Sequence, residues 1–196
     1  GVINMQTIPD YYYIPTGIDK DVADLIINQC SKRELISSEV MDSAPVGKSH
    51  LDTTLRDSEQ CWLPTDNWIS CVMKSMIDSA NIEYFNYDIT RWSDLIQYTV
   101  YDGPGSKYNW HTDICTSTID KSIVRKLSIS LLLSDPSEYE GGEFQLMLAG
   151  DTKMKTFKPS LGDAVIFPST ARHRVRPLKS GKRISLVGWY GGPAFR

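Results

Sequence analysis

The chain has 196 residues, of which 41% are apolar, with 21 Lys+Arg against 24 Asp+Glu for a formal net charge of −3. That is about one domain's length of chain, enough to bury a core without cross-links. The acidic balance argues against a protein built to grip phosphate backbones, and no apolar run approaches the roughly 18–20 residues of a membrane span. Cys30, Cys61, Cys71 and Cys115 are scattered with no CxxC spacing. That argues against a structural zinc site or a disulfide scaffold. The first ten residues, GVINMQTIPD, show no charged stretch leading into an apolar one. With reduced thiols and no visible secretory signal, the expected location is the cytoplasm.

In chain order, the aromatic run Tyr11-Tyr12-Tyr13 reads as an edge strand packed on the core. Asp19–Lys32 carries Val22, Leu25, Ile26, Gln29 and Cys30 at helical spacing, with Asp19 as the cap. Polar residues dominate Ser43–Pro64, which suits either a lid or a pair of short edge strands. A second helix fits Asp66–Ala80, with Ile69, Val72, Met73, Met76 and Ala80 on one face. Beyond about Asp88 the pattern turns to strands: Leu95–Val100, Lys126–Leu133, Glu143–Leu148, Ala164–Phe167, Arg172–Val175 and Arg183–Trp189. Lys126–Leu133 alternates Leu127, Ile129, Leu131 and Leu133 with Ser128 and Ser130. Short strands separated by turns, with no helical stretch between them, favour antiparallel β over βαβ units. The expectation is an α+β chain, a single domain over 1–196. Its helical part covers about 1–90, and its β core about 91–192.

Only three histidines are present: His50, His111 and His173. On a strand, His111 and Asp113 would point to one face. His173 opens a later strand and supplies a second imidazole. Two imidazoles and one carboxylate leave open coordination positions and suit non-heme Fe(II). His50 lies in the polar loop, outside the strand series, and is expected to be dispensable for metal. Arg183 opens the apolar strand Ile184–Trp189 and needs an anion there, because burying it unpaired is costly. That anion is either a structural Asp or Glu or a bound carboxylate, which Ser185, two residues on, could also meet. Trp110, next to the first ligand, is expected to point the other way, into core. The alternation Arg172, Arg174, Arg176 reads as a solvated strand face, with an acidic substrate as the sharper alternative.

His111-x-Asp113, His173 and Arg183 with Ser185 resemble the motif of the Fe(II)- and 2-oxoglutarate-dependent dioxygenases. More narrowly, QYTVYDGPGSKYNWHTD, RKLSISLLLSDPSEYEGGEFQL, KPSLGDAVIFPS and KRISLVGWY are similar to segments of the prolyl 4-hydroxylase-like, PKHD-type branch. TTLRDSEQCWL resembles the Arg-x-Ser element that precedes the core in that branch, at Arg56 and Ser58. The resemblance implies a double-stranded β-helix, or jelly roll, with N-terminal helices packed on it. It implies Fe(2+) held by His111, Asp113 and His173, with O2 and 2-oxoglutarate as co-substrates and ascorbate as a stimulant. Arg183 and Ser185 would meet the distal carboxylate of 2-oxoglutarate, Tyr101 would donate to the co-substrate, and Trp189 would wall the pocket. Arg56, Tyr108 and Trp62 would be substrate-binding residues.

One departure stands out. Some prolyl hydroxylases place a second carboxylate donor where this chain has Leu131-Leu132, so Ser185, Ser128 or a water must substitute. The implied reaction is hydroxylation of an unactivated C–H, with a prolyl or other side chain of a protein or peptide as the expected substrate. A free amino acid or other small molecule is the alternative, and a non-catalytic binding module ranks below both. Nucleic acid is disfavoured as a substrate. The dealkylases that act on it carry a second Arg six residues after the clamp Arg, where this chain has Trp189.

Overall fold

The computed structural model describes residues 10–41, 49–117 and 119–195. In chain order its elements are β1 (Tyr12–Ile14), α1 (Lys20–Cys30), β2 (Ile36–Ser37), β3 (Val40–Met41), β4 (Ser49–His50), β5 (Arg56–Asp57), β6 (Glu59–Leu63) and α2 (Trp68–Ala80). There follow β7 (Arg91–Trp92), β8 (Ile96–Asp102), β9 (Lys107–His111), β10 (Val124–Leu132), β11 (Tyr139–Gly141) and β12 (Phe144–Leu148). The last are β13 (Lys153–Phe157), β14 (Ala164–Pro168), β15 (His173–Val175) and β16 (Leu178–Gly192).

Both helices start where a side chain satisfies an otherwise orphaned backbone N–H. The Asp19 carboxylate accepts from Val22 N at 3.0 Å, and the Asn67 side chain accepts from Ser70 N at 3.1 Å. Each helix then buries one stripe: Ala23, Ile26 and Cys30 on α1, and Ile69, Met73, Met76, Ile77 and Ala80 on α2. The chain beyond Ala80 makes one wider turn, Asn81–Phe85, and stops at Asn86, whose φ of 53° is left-handed.

The strands form two principal antiparallel sheets. The larger runs β1-β14-β10-β16-β8-β6-β2, with β7 and β11 also pairing with β16, and the smaller runs β13-β12-β15-β9-β5. The alternation foreseen for β10 decides what lies on either side of the larger sheet. Leu127, Ile129 and Leu131 are fully buried against the helices, in one cluster with Ile26, Met73, Ile77, Tyr98 and Leu186. Burying each such side chain contributes about 1.5–3 kcal/mol. A second cluster, Tyr101, Phe144, Leu146, Phe157, Val165, Phe167 and Val175, fills the space between the two sheets. Two facing antiparallel sheets with helices on the outer side make a jelly roll, as the sequence led us to expect.

Several boundaries differ from that reading. The N-terminal part is not only helical: β1, β2, β5 and β6 come from it and extend both sheets. Tyr12–Ile14 is the expected edge strand, paired with β14. Within Ser43–Pro64, residues 43–48 lie outside the described residues, and the remainder forms the short strands β4, β5 and β6. Trp62 and Arg56 therefore sit on strands rather than in an open loop. Lys153–Phe157, with Lys153, Met154, Lys155 and Thr156 all exposed, had too little apolar alternation to read as a strand. Pairing with β12 makes it one. Among the described residues no helix is long and apolar enough to cross a membrane.

Candidate functional site

β16, the central strand of the larger sheet, pairs Arg183 with Tyr101, Ser185 with Thr99, and Trp189 with Ser128. Cross-strand partners share a face. All six are buried. The smaller sheet supplies His111 and His173, which are directly paired between β9 and β15.

A bulge in that pairing re-aims the site. His173 opposes His111 but Val175 opposes Tyr108, so β9 spends one more residue than β15 over the same stretch. The consequence is that Tyr108 and His111 stack, with ring centroids 3.5 Å apart, although they are three residues apart on a strand. Trp110 also departs from its expectation. This residue is half-buried rather than core, with the guanidinium of Arg174 4.7 Å and that of Arg172 5.8 Å from its ring.

Asp113 joins the histidines by a different route from simple strand alternation. β9 ends at His111, and Asp113 is instead held by its own backbone, whose N–H donates to Ser169 O at 2.9 Å. The outcome is the predicted convergence: the ligand atoms of His111, Asp113 and His173 lie within 4.8 Å of one another. His111 Nε2 is 3.7 Å from Asp113 Oδ1, and His173 Nε2 is 3.4 Å from Asp113 Oδ2. Both rings place Nδ1 against a backbone carbonyl, His111 on Asn109 O at 2.7 Å and His173 on Ala171 O at 3.0 Å. A carbonyl only accepts, so Nδ1 carries the proton and Nε2 faces the centre of the cluster.

Electrostatics favour the metal-ready protonation state. Burial, then the positive field of His173, pushes the His111 imidazole down to about 3. Burial opposes ionisation of Asp113, but the imidazoles, Arg125 and the Ser128 hydroxyl outweigh it and hold the carboxyl at about 2. A neutral imidazole and an ionised carboxylate bind a cation without first losing protons.

Arg183 is 2% exposed. Its Nη1 reaches Ser185 Oγ at 3.4 Å, its Nε has no partner, and its charge sits 5.6 Å from the Tyr101 ring. Among the described residues no Asp or Glu lies within ion-pair distance of it, in contrast to Arg125, whose Nε is 2.7 Å from Asp94 Oδ2. The structural partner considered as an alternative is thus not found among the described residues, and the buried guanidinium stands ready for an anion. The Gly142 backbone comes close: φ there is +65°, and a Cβ would lie 3.1 Å from Arg183 Cδ. Burial raises the Tyr139 phenol pKa, and the charge and hydrogen bond of Arg183 oppose that rise.

The remaining candidates divide. Trp189 is buried with its indole Nε1 unpartnered, and it packs 6.2 Å from Trp62. Arg56, 5% exposed, is not an open loop residue. It donates to Ser58 Oγ at 3.2 Å and Gln97 Oε1 at 2.7 Å, and its guanidinium stacks 4.4 Å from the Tyr108 ring. An Arg56–Tyr108–His111 pile therefore backs the first histidine. Ser128 does not face Arg183; its hydroxyl donates to Asp113 Oδ2 at 2.7 Å. Exposed His50 lies on β4, away from the histidine pair on β9 and β15. Arg125, lying 4.0 Å over the Trp189 ring, was not singled out from the sequence. A register shift between Arg125 and Leu127 hides its parity. Tyr139 also went unnoticed, since only the turn that brings β11 against β16 gives it a role.

With that geometry in place, the comparisons with known proteins converge. Residues 96–191 match the family model of the 2OG-Fe(II) oxygenase superfamily. A PKHD-type hydroxylase of Psychrobacter sp. (strain PRwf-1) is 40% identical over 88 residues, 43% of this chain and 33% of the relative. A PKHD-type hydroxylase of Hyphomonas neptunium (strain ATCC 15444) is 39% identical over 88 residues, 44% of this chain and 38% of the relative. The match thus spans about a third of the length of these relatives. Among solved structures, a Pseudomonas putida prolyl-4-hydroxylase superposes with a TM-score of 0.70 at 20% identity, covering 94% of both chains. The viral collagen prolyl hydroxylase of Paramecium Bursaria Chlorella virus-1, in its 2OG complex, gives 0.68 at 21% identity over 98% of this chain and 99% of that one. Residues 96–191, the β core of the chain, are thus similar to the 2OG-Fe(II) oxygenase superfamily. Over that core its sequence is similar to PKHD-type hydroxylases, and its fold is shared with prolyl 4-hydroxylases.

Proposed function

We propose that this chain is an Fe(II)- and 2-oxoglutarate-dependent dioxygenase that hydroxylates an unactivated C–H of a prolyl or other side chain in a protein or peptide. The observation that carries the reading is the pairing of two incomplete groups in one jelly roll. A His–Asp–His cluster stands ready for a cation. A buried guanidinium lacks an anion. Fe(II) with 2-oxoglutarate completes both, since a dicarboxylate has one end for the metal and another for an Arg.

In this reading His111, Asp113 and His173 hold the iron. Arg183 takes the distal carboxylate of 2-oxoglutarate, with Ser185 beside it and Tyr101 donating to the co-substrate. Trp189 walls the site, and Arg56, Tyr108 and Trp62 line the substrate side. When bound, the iron and co-substrate supply the oxidising power: O2 is divided between 2-oxoglutarate, which leaves as succinate and CO2, and the hydroxylated product. The protein's part is positioning and exclusion of water, with no side-chain acid or base assigned. Ascorbate would be a stimulant of turnover.

A peptide substrate is supported by the relatives: one neighbour, at a TM-score of 0.69 and 18% identity, is a Trichoplax adhaerens prolyl hydroxylase solved in complex with a hypoxia inducible factor peptide fragment. The test is succinate release under Fe(II), 2-oxoglutarate and O2, with proline-containing peptides compared against free amino acids. Peptide-dependent succinate with a mass gain of one oxygen on the peptide is expected. Stimulation by a free amino acid alone would move the substrate to the small-molecule class, and no stimulation of 2-oxoglutarate turnover by either class would overturn the proposed activity.

A further inference from the structure

The Asp113 carboxylate is not an isolated ligand. Its Oδ2 accepts from Ser128 Oγ at 2.7 Å, and Ser128 Oγ lies 2.9 Å from Ser169 Oγ. Ser128 and Ser169 are both 0% exposed, and Asp113 is 7% exposed. The proton count fixes the direction of this chain. An ionised carboxylate only accepts, so the single Ser128 proton points at Asp113, and the Ser128 oxygen must then accept from the Ser169 hydroxyl. The loop is closed by the backbone, where Asp113 N–H donates to Ser169 O at 2.9 Å and Ser169 N–H donates to Lys126 O at 3.0 Å.

The three residues come from different places: Asp113 beyond the end of β9, Ser128 on β10 and Ser169 just past β14. β10 and β14 pair side by side, with Leu127 opposite Pro168 and Ser128 opposite Phe167. A hydroxyl on the larger sheet, backed by one just past the end of β14, therefore reaches across to a carboxylate that follows the smaller sheet. Among the described residues, Oδ1 has no hydrogen bond of its own in this set, whereas Oδ2 is engaged.

We propose that Ser128, oriented by Ser169, is a positioning residue for the metal: it reserves Asp113 Oδ2 as a hydrogen-bond acceptor, so that the carboxylate offers a cation one oxygen, Oδ1, rather than two. This rests on the metal-binding reading of the site. Single-oxygen presentation keeps coordination positions open for a chelating co-substrate and O2. A hydrogen-bonded carboxylate also loses less rotational freedom when the metal arrives.

The experiment is Co(II) titration of the whole chain, followed by its visible d–d absorption and by calorimetry. Wild type, Ser128→Ala, Ser169→Ala, the double variant and His173→Ala are compared, each checked for an unchanged far-UV spectrum. Ser128→Ala is expected to weaken Co(II) about 10- to 100-fold and to shift the d–d bands as the freed carboxylate changes its mode. Ser169→Ala should weaken it less. The double variant should match Ser128→Ala, because Ser169 acts only through Ser128. Wild-type affinity and spectrum in Ser128→Ala, with binding abolished in His173→Ala, would overturn the proposal and leave the metal site standing. Failure of the wild type to bind would overturn both. Additive losses in the double variant would overturn the relay from Ser169.

Discussion

Replacing Arg183 with Met should move folding stability and co-substrate binding in opposite directions. The side chain is 2% exposed, and its Nε is buried without a partner. A buried polar group left unsatisfied costs about 1–3 kcal/mol, and more when it is charged. A well-packed apolar replacement for a buried ion is often neutral or stabilising by about 1–4 kcal/mol. Arg183→Met should therefore leave the ligand-free melting temperature unchanged or raise it by some degrees, since about 1 kcal/mol is about 2–4 °C for a chain of this size. The ligand response should vanish. For the wild type with Co(II), 2-oxoglutarate at 100 times its Kd adds about 2.7 kcal/mol, or about 5–11 °C. Breaking a buried charge pair by removing one member costs about 3–5 kcal/mol, so 2-oxoglutarate affinity should fall at least about 100-fold. The assay is thermal melting with and without 2-oxoglutarate, with calorimetric Kd values alongside. A sharp loss of ligand-free stability would mean that Arg183 is satisfied by the fold. Unchanged 2-oxoglutarate affinity would place the anion clamp elsewhere.

Two further outcomes follow from the same site. His111→Ala, Asp113→Ala and His173→Ala should each lose measurable Fe(II) by calorimetry, while His50→Ala should retain it; loss of iron in His50→Ala would refute the assignment of the pair. Acid should destabilise the metal-free chain in a defined window. His111 is pushed from 6.5 down to about 3 by burial, so between those values the unfolded state binds a proton that the folded state does not. Stability then falls as pH drops below about 6.5, by at most about 1.4 kcal/mol per pH unit from this group. Asp113, lowered from 3.8 to about 2, adds a loss of the same sign below 3.8. Denaturant titration across pH 4–7 should show this slope flattened in His111→Gln, and an equal slope there would remove His111 as its source.

Much of this site was legible in the sequence because its residues lie in register with simple periodicities. Asp19 caps a helix that buries every third or fourth residue, and Leu127, Ile129 and Leu131 mark the helix-facing side of β10 by alternation. The same parity on β16 puts Arg183, Ser185 and Trp189 on one buried face. Scarcity did the rest: with three histidines in the chain, a two-imidazole centre had few ways to form. The stack of Tyr108 on His111 went unread because a bulge in β9 breaks the alternation on which such a reading depends. Trp110 was expected in core, whereas it is half-buried beside Arg172 and Arg174.

The amino-acid sequence alone therefore determined the class of fold, the two imidazoles and the carboxylate, and the buried cation in need of an anion. These are local properties of pattern and composition. The tertiary structure decided that the Ser128 hydroxyl donates to Asp113, that Arg56 backs His111 through Tyr108, and that Arg183 finds no carboxylate among the described residues. Each of those joins strands far apart in the chain, so each depends on register and on the approach of the two sheets, which no local periodicity encodes.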